Sequence, residues 1–154
     1  MLKLLVMFGT LLAFIYVLSG IEQSEIKRSE PHSTVQERKI DDKLAEPVKM
    51  QLEAYNNRSI SEFVNCFSDD IKLFRLQTGE LFCDGRDNLI AIYGDLFNLS
   101  ENLHCEVVSR ITCGDFVIDE EHVAGLVEGE IVHATAIYEV QNGKIIKAWF
   151  IRGK

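Results

Sequence analysis

The sequence predicts one α+β domain in which helices from its first half pack on an antiparallel sheet from its second half. Apolar residues recur mainly at helical spacing between residues 42 and 100, and then alternate with polar residues from residue 103 to residue 152. Gly-Asp and Asn-Gly pairs divide the second region, as is typical of turns between antiparallel strands. Without its apolar N-terminus the chain of 154 residues retains roughly 110, which is enough for one hydrophobic core.

The first 20 residues predict a targeting segment. Lys3 precedes an apolar run over residues 4–18, followed by Ser19 and Gly20. This order is typical of a signal peptide, but the run is also close to the minimum length that crosses a bilayer. Both a cleaved signal peptide and an uncleaved membrane anchor are therefore consistent with residues 1–20. Either one places the domain outside the cytoplasm, secreted, periplasmic or anchored to the membrane. Residues 21–41 predict a polar linker, and residues 42–154 the domain.

The charge and cysteine content exclude some functions. A net charge of -8 and no basic stripe argue against nucleic acid as a partner. There is no pair of cysteines at zinc-ligand spacing, so we do not expect zinc. We assign no other metal and no cofactor. Cys105 and Cys113 share a predicted strand, roughly 26 Å apart and too far to bridge. We expect the four cysteines, Cys66, Cys83, Cys105 and Cys113, to be small buried apolar residues.

Three helices are predicted in the first half of the domain. The first begins at Asp41-Asp42 and ends at residues 56–58. A capping box of Ser59 and Glu62 begins the second. Its buried residues should be Phe63, Val64 and Phe67. A strand over residues 71–76 and a short extended segment at 81–83 precede the third helix, which Asp87 should cap.

Four strands follow, over residues 103–113, 116–124, 131–140 and 144–152. The third of these is apolar on both faces. One face carries Val132, Ala134, Ala136, Tyr138 and Val140; the other carries Ile131, His133, Thr135, Ile137 and Glu139. Since helices can cover only one face of the sheet, we predict that a second copy covers the other and that the protein is a homodimer.

The chain resembles the nuclear transport factor 2-like superfamily, and within it the SnoaL-like and ketosteroid-isomerase-like domains. The resemblance lies in residues 52–63, Phe67-Ser-Asp69-Asp70, Asp84-Gly85-Arg86, residues 136–145 and Trp149-Phe150. It implies a cone-shaped, cystatin-like fold in which three N-terminal helices pack on a curved, mostly antiparallel sheet around a pocket. Members include isomerases, cyclases and non-catalytic binders, so the resemblance implies a fold rather than an activity.

The residues of the ketosteroid isomerase mechanism are missing from the corresponding positions. That mechanism needs a tyrosine, a carboxylate base and a protonated acid. Their places are held here by Gln51, Arg75 and Ala136, respectively. An arginine cannot act as the base, so we assign no catalytic residue from the resemblance.

The resemblance also implies a mostly apolar pocket. Its expected ligand-binding residues are Gln51, Tyr55, Arg75, Tyr93, Ala136, Tyr138, Phe150 and, near the mouth, Arg152, with Ala134 and Ala148 leaving room for a ligand. The expected ligand is small, apolar or amphipathic, with a polar or anionic end. Two alternatives stay open, because Arg75 can instead point outward to a surface acid and Tyr93 can belong to the core between helix and sheet.

Two functions follow from these observations. The first is a SnoaL-like small-molecule-binding domain, with catalysis left open. The second is a non-catalytic assembly or interaction domain, secreted or anchored to a membrane. An open cavity favours the first, and a cavity filled by Tyr93 and Phe150 favours the second. Consecutive acids at residues 119–121 are expected to be solvated, and His104, His122 and His133 to be isolated.

Overall fold

The computed structural model describes residues 40–153, which form three helices and a six-stranded sheet. The helices are α1 (Asp42–Asn56), α2 (Ile60–Asn65) and α3 (Arg86–Leu99). The strands are β1 (Phe67–Arg75), β2 (Glu80–Asp84), β3 (His104–Cys113), β4 (Phe116–Ala124), β5 (Ile131–Gln141) and β6 (Lys144–Arg152). The predicted targeting segment, residues 1–20, and the linker up to residue 39 lie outside the described residues. Among residues 40–153, no helix is both long and apolar enough to cross a membrane.

The strands form one open sheet in the order β2-β1-β6-β5-β4-β3. Every neighbouring pair is antiparallel except β1 and β6, which run parallel. The two hairpins β3–β4 and β5–β6 connect neighbours along the chain, as their turn residues predicted. The helices cover one face of this curved sheet, so the α+β architecture inferred from the sequence is confirmed.

The ends of α1 have the structures that the sequence predicts. The Asp41 carboxylate accepts a hydrogen bond from the backbone N–H of Leu44 at 3.1 Å, which satisfies one of the unpaired donors of the first turn. At the other end, the backbone N–H of Asn57 donates to the carbonyl of Glu53 at 2.9 Å. Arg58 then takes a left-handed conformation with φ of 53°, which ends the helix and turns the chain into α2.

The starts of α2 and α3 differ from the predictions. Ser59 is the N-cap of α2, but its side chain makes no capping hydrogen bond, so the predicted capping box is not formed. Phe67 is buried, yet it begins β1 rather than extending α2. The N-cap of α3 is Gly85 with φ of 84°, a conformation that glycine tolerates best, and Asp87 lies in the first turn instead.

The core lies between the helices and the concave face of the sheet. It contains fully buried side chains from every layer: Val48, Phe63, Leu89, Ile71, Leu73, Val117 and Ile145. Three cysteines are buried with it, and all four in the described residues are unbridged. Cys113 contradicts the expectation of burial, because it ends β3 opposite Phe116 at an exposed hairpin tip.

The outer face of the sheet carries a continuous apolar row that no helix covers. Directly paired residues from all six strands form it: Leu81, Phe74, Trp149, Ile137, Ile118 and Ile111. The rings of Phe74 and Trp149 stack with centroids 5.7 Å apart. At its two ends, Leu81 and Ile111 are 42% and 40% exposed. We call these six residues the outer row.

Candidate functional site

A cavity of about 760 Å³ opens between the helices and the concave face of the sheet. This volume is within the range of small-molecule sites. Its wall is mainly apolar, formed by Leu52, Phe63, Phe67, Phe82, Ile92, Leu96, Val123, Leu126, Val132, Ala134 and Phe150. Tyr93 and Phe150 lie in the wall and leave the cavity open, which is the arrangement that favours the small-molecule-binding hypothesis.

Most of the residues proposed from the sequence meet at this cavity. Those that line it are Gln51, Tyr55, Arg75, Tyr93, Tyr138, Phe150 and Arg152. Ala136 does not belong to the lining. It is fully buried and pairs with Phe150 across β5 and β6, so the small side chain lies within the core. Ala148 is likewise fully buried in the core, whereas Ala134 lines the cavity as expected. That these residues bind a ligand stays a prediction.

A chain of two hydrogen bonds connects three elements at the inner end of the cavity. The Gln51 amide on α1 donates to the Tyr138 hydroxyl on β5 at 3.2 Å. That hydroxyl donates in turn to Oε1 of Glu121 on β4 at 3.1 Å. Gln51, Tyr138 and Glu121 are only 5%, 3% and 6% exposed. These two hydrogen bonds therefore hold the Glu121 carboxyl group at a fixed position beneath the helices.

Burial controls the protonation of Glu121. It raises the pKa of this carboxyl to about 7, while the hydrogen bond from Tyr138 opposes the shift; Asp119 raises the pKa and Arg110 lowers it. Asp119 is fully buried but does not line the cavity, and it pairs with Arg110 through contacts of 2.7 and 2.6 Å. Glu121 has no ion pair among the described residues. It is thus a carboxyl that gains and loses a proton near neutral pH.

The expectation that residues 119–121 are solvated is wrong for two of the three. Asp119 and Glu121 are buried, and only Glu120 is exposed. Alternate residues of β4, those with odd numbers, face the helices. Asp119 and Glu121 therefore share a face with Val117 and Val123. This alternation is the feature of the sequence from which the burial of Glu121 could have been predicted.

The mouth of the cavity is polar and carries Arg75, Gln77, Thr78 and Arg152. The Arg75 guanidinium donates to the carboxylate of Glu80 at 2.9 Å and lies 4.8 Å from the centre of the Phe82 ring. Both interpretations of Arg75 therefore hold in part, since it lines the cavity edge and also pairs with a surface acid.

Tyr55 and Tyr93 combine core packing with a place in the cavity wall. The ring of Tyr93 lies 4.5 Å from that of Phe63, and the ring of Tyr55 lies 5.6 Å from that of Phe97. Burial is the main cause that raises the pKa of both phenols well above their usual range. Both hydroxyls thus stay protonated at neutral pH and can donate hydrogen bonds.

Cys105 also reaches the cavity, but its chemistry is suppressed. Burial, followed by the negative charges of Glu121 and Asp119, raises the pKa of its thiol to about 12. A thiol is a poor nucleophile until it loses its proton. Cysteine-based catalysis at this site is therefore unfavourable at neutral pH.

Two of the histidines are not isolated, contrary to expectation. His122 and His133 are direct partners on β4 and β5, and their ring centroids are 4.2 Å apart on the outer face of the sheet. Among residues 40–153, no group of three or more histidine, cysteine and acidic side chains could hold a metal ion. The pair does not contribute to the cavity.

A curved, mostly antiparallel sheet with three helices packed around an apolar cavity defines the nuclear transport factor 2-like class of proteins. Within it, the chain belongs to the SnoaL-like domain family, whose model matches residues 48–148. Comparison with curated proteins finds no match.

Solved structures share the fold at low sequence identity. A cystatin-fold protein from Novosphingobium aromaticivorans is 23% identical with a TM-score of 0.65, covering 71% of this chain and 97% of its own. A protein with a ketosteroid isomerase-like fold from Catenulispora acidiphila, solved in complex with trimethylamine, is 17% identical, with a TM-score of 0.59 and coverage of 68% and 83%. A proposed polyketide cyclase from Sinorhizobium meliloti is 16% identical, with a TM-score of 0.60 and coverage of 68% and 93%.

Proposed function

We propose that the cavity binds a small, largely apolar molecule and that Glu121 exchanges a proton with it. The observation that carries this proposal is a buried carboxyl at the wall of an apolar cavity, with a pKa raised to about 7 by that burial. A group that titrates near the working pH is suited to general acid–base catalysis, because it is available in both protonation states.

The geometry of Glu121 supports this role. Oε1 is occupied by the hydrogen bond from Tyr138. Oε2 makes no hydrogen bond among the described residues, and Glu121 is part of the cavity lining. Gln51 holds Tyr138 from the opposite side, so the carboxyl is oriented before any ligand arrives. One oxygen is thus fixed while the other is free to accept a proton.

We infer that the substrate is an apolar carbonyl compound, since solved structures of this fold include a proposed ketosteroid isomerase and a proposed polyketide cyclase. The Glu121 carboxylate would take a proton from the carbon beside the carbonyl. The electrons of the broken C–H bond would form a C=C bond, and the carbonyl oxygen would become an enolate oxygen. The protonated hydroxyls of Tyr55 and Tyr93 are the available donors to that oxygen.

This mechanism differs from that of the ketosteroid isomerases in the origin of its base. Arg75 holds the position that the resemblance assigns to the base, whereas Glu121 comes from β4. The assembly-domain hypothesis has less support, because Tyr93 and Phe150 do not fill the cavity. A secreted, periplasmic or membrane-anchored location is a further proposal, and it rests only on the sequence of residues 1–20.

The test is deuterium exchange into β-tetralone, a small bicyclic ketone, followed by proton NMR in D₂O at neutral pD. We expect the full-length protein to accelerate exchange at the carbons beside the carbonyl, and Glu121→Gln to lower that rate by at least about 100-fold. Glu120→Gln is the matched control, because it removes the neighbouring acid on the exposed side of the same strand. Equal rates for the Glu121→Gln variant and the wild-type protein would reject the assignment.

A further inference from the structure

Two arginines lie at the mouth of the cavity, and only one of them has its charge paired. Arg75 is held by Glu80 at 2.9 Å and lies over the Phe82 ring. The Arg152 guanidinium has no ion pair or hydrogen bond with any other residue among the described part of the chain. Its backbone carbonyl accepts a hydrogen bond from the Gln77 amide at 3.0 Å. Arg152 is therefore the cation that is available to a ligand.

The register of β5 and β6 places Arg152 on the cavity side of the sheet. It pairs directly with Ala134, and directly paired residues present their side chains on the same face. Ala134 lines the cavity, as does Phe150 two residues before Arg152. The side chain of Arg152 is itself part of the lining, although the residue is exposed to solvent.

The charge of Arg152 also acts inside the cavity. Burial raises the pKa of Tyr93, the negative charge of Glu121 raises it further, and Arg152 lowers it. The same two charges act in the same directions on Tyr55. The charges that act on Glu121 itself are those of Asp119 and Arg110. The pKa values of both tyrosines thus respond to a negative group in the cavity wall and to a positive group at its mouth.

The lining between these two groups is apolar. Phe150 lies near the Glu121 end, with its ring 6.2 Å from that of Tyr138, and it also lines the cavity two residues before Arg152 on β6. Leu126 and Val132 complete the wall. A ligand that contacts both ends must therefore have an apolar body with polar groups at separate positions.

We propose that Arg152 binds the carboxylate of an amphipathic acid whose apolar body fills the cavity and whose reactive carbon lies at Glu121. This inference rests on the proposed function, because it places the same molecule in the same cavity. It selects a substrate class, keto acids with an extended apolar part, over neutral ketones. It also moves the anion-binding role from Arg75 to Arg152, since an arginine already paired with a carboxylate has less to gain from a second one.

The experiment compares a carboxylate with its neutral ester. Binding of 2-naphthylacetate and of methyl 2-naphthylacetate to the full-length protein is followed by naphthalene fluorescence at low salt. We expect the carboxylate to bind about tenfold more tightly than the ester, because a charge-assisted hydrogen bond adds to the shared apolar contact. Arg152→Gln should abolish this preference while leaving the affinity for the ester within about twofold.

The control is the double variant Arg75→Gln with Glu80→Gln, which removes the paired arginine without changing the net charge. It should keep the preference for the carboxylate. Ester and carboxylate binding equally well to the wild-type protein, or a preference that survives in Arg152→Gln, would overturn the role of Arg152 and leave cavity binding intact. No binding of either probe would count against both the carboxylate site and the proposed function. Circular dichroism of each variant establishes that it is folded.

Discussion

At the scale of single residues, the buried carboxyl of Glu121 has a cost in stability beside its proposed role in proton exchange. Its pKa of about 7 in the folded state lies above its ordinary value of 4.5. The folded protein therefore binds this proton more tightly than the unfolded chain does. It follows that the contribution of Glu121 to stability is most favourable below pH 4.5 and declines as the pH rises toward 7. Buried groups with pKa values shifted in this way are common at functional sites.

This gives a prediction for Glu121→Gln. Gln can still accept the hydrogen bond from Tyr138, but it never has to be ionised in a buried place. From pH 5 to pH 8 the free energy of unfolding of the wild-type protein should fall relative to that of the variant by roughly 2–3 kcal/mol. Urea denaturation at both pH values measures these free energies of unfolding. Glu120→Gln should show no such difference, and a pH-independent gap between Glu121→Gln and the wild-type protein would contradict the shifted pKa.

At the scale of secondary-structure elements, one loop is constrained by a close backbone approach. Gly125 follows β4 and has φ of 80°. A Cβ atom at this position would lie 2.6 Å from the backbone carbonyl group of Asn102, in the segment before β3. No side chain can be placed there without moving the backbone. The loop after β4 and the segment before β3 thus fit together only with glycine at residue 125.

Gly125→Ala should therefore destabilise the domain by about 2–4 kcal/mol, from the left-handed backbone conformation and the steric clash together. Gly129→Ala is the matched control, because Gly129 also has a positive φ, of 76°, but has open space around it. It should cost only about 1 kcal/mol. The midpoints of urea denaturation compare the two variants, and similar losses in both would show that the approach to Asn102 is not rigid.

At the scale of the whole molecule, the outer row is the feature that the isolated chain leaves unexplained. It crosses all six strands, and its aromatic members, Phe74 and Trp149, are only partly buried. Large exposed apolar patches on soluble domains usually mark interaction surfaces. We propose that a second copy of the chain covers the outer row, as the two apolar faces of β5 suggested.

Size-exclusion chromatography with light scattering tests this proposal. We expect a dimer for the wild-type protein at tens of micromolar and a monomer for Trp149→Glu, which places a charge at the centre of the row. Leu99→Glu is the control, because Leu99 is apolar and 83% exposed but lies at the end of α3. A wild-type protein that stays monomeric, or a Trp149→Glu variant that stays dimeric, would contradict the proposal that the outer row is the dimer interface.

Local features of the sequence were sufficient to predict most elements. The Asn142-Gly143 pair predicted the β5–β6 hairpin, and both residues take the positive φ values, 54° and 74°, that such a turn needs. The bounds of β4 and β6 agree with the prediction residue for residue. The parallel pairing of β1 with β6 was not predicted, because it joins segments far apart in the chain and no local pattern encodes it.

The sequence by itself determined the order of helices and strands and their turns, because these depend on interactions between residues close in the chain. Its resemblance to known domains determined the family. Only the tertiary structure decided which polar groups at the cavity are buried, which are paired and which stay free. Glu121 is buried because β4 directs its odd-numbered side chains toward α1. Arg75 is neutralised because β2 brings Glu80 beside it, whereas the charge of Arg152 stays unpaired among the described residues. Desolvation and charge pairing depend on what surrounds a group in space. The chemistry of this site is therefore a property of the packed sheet and helices.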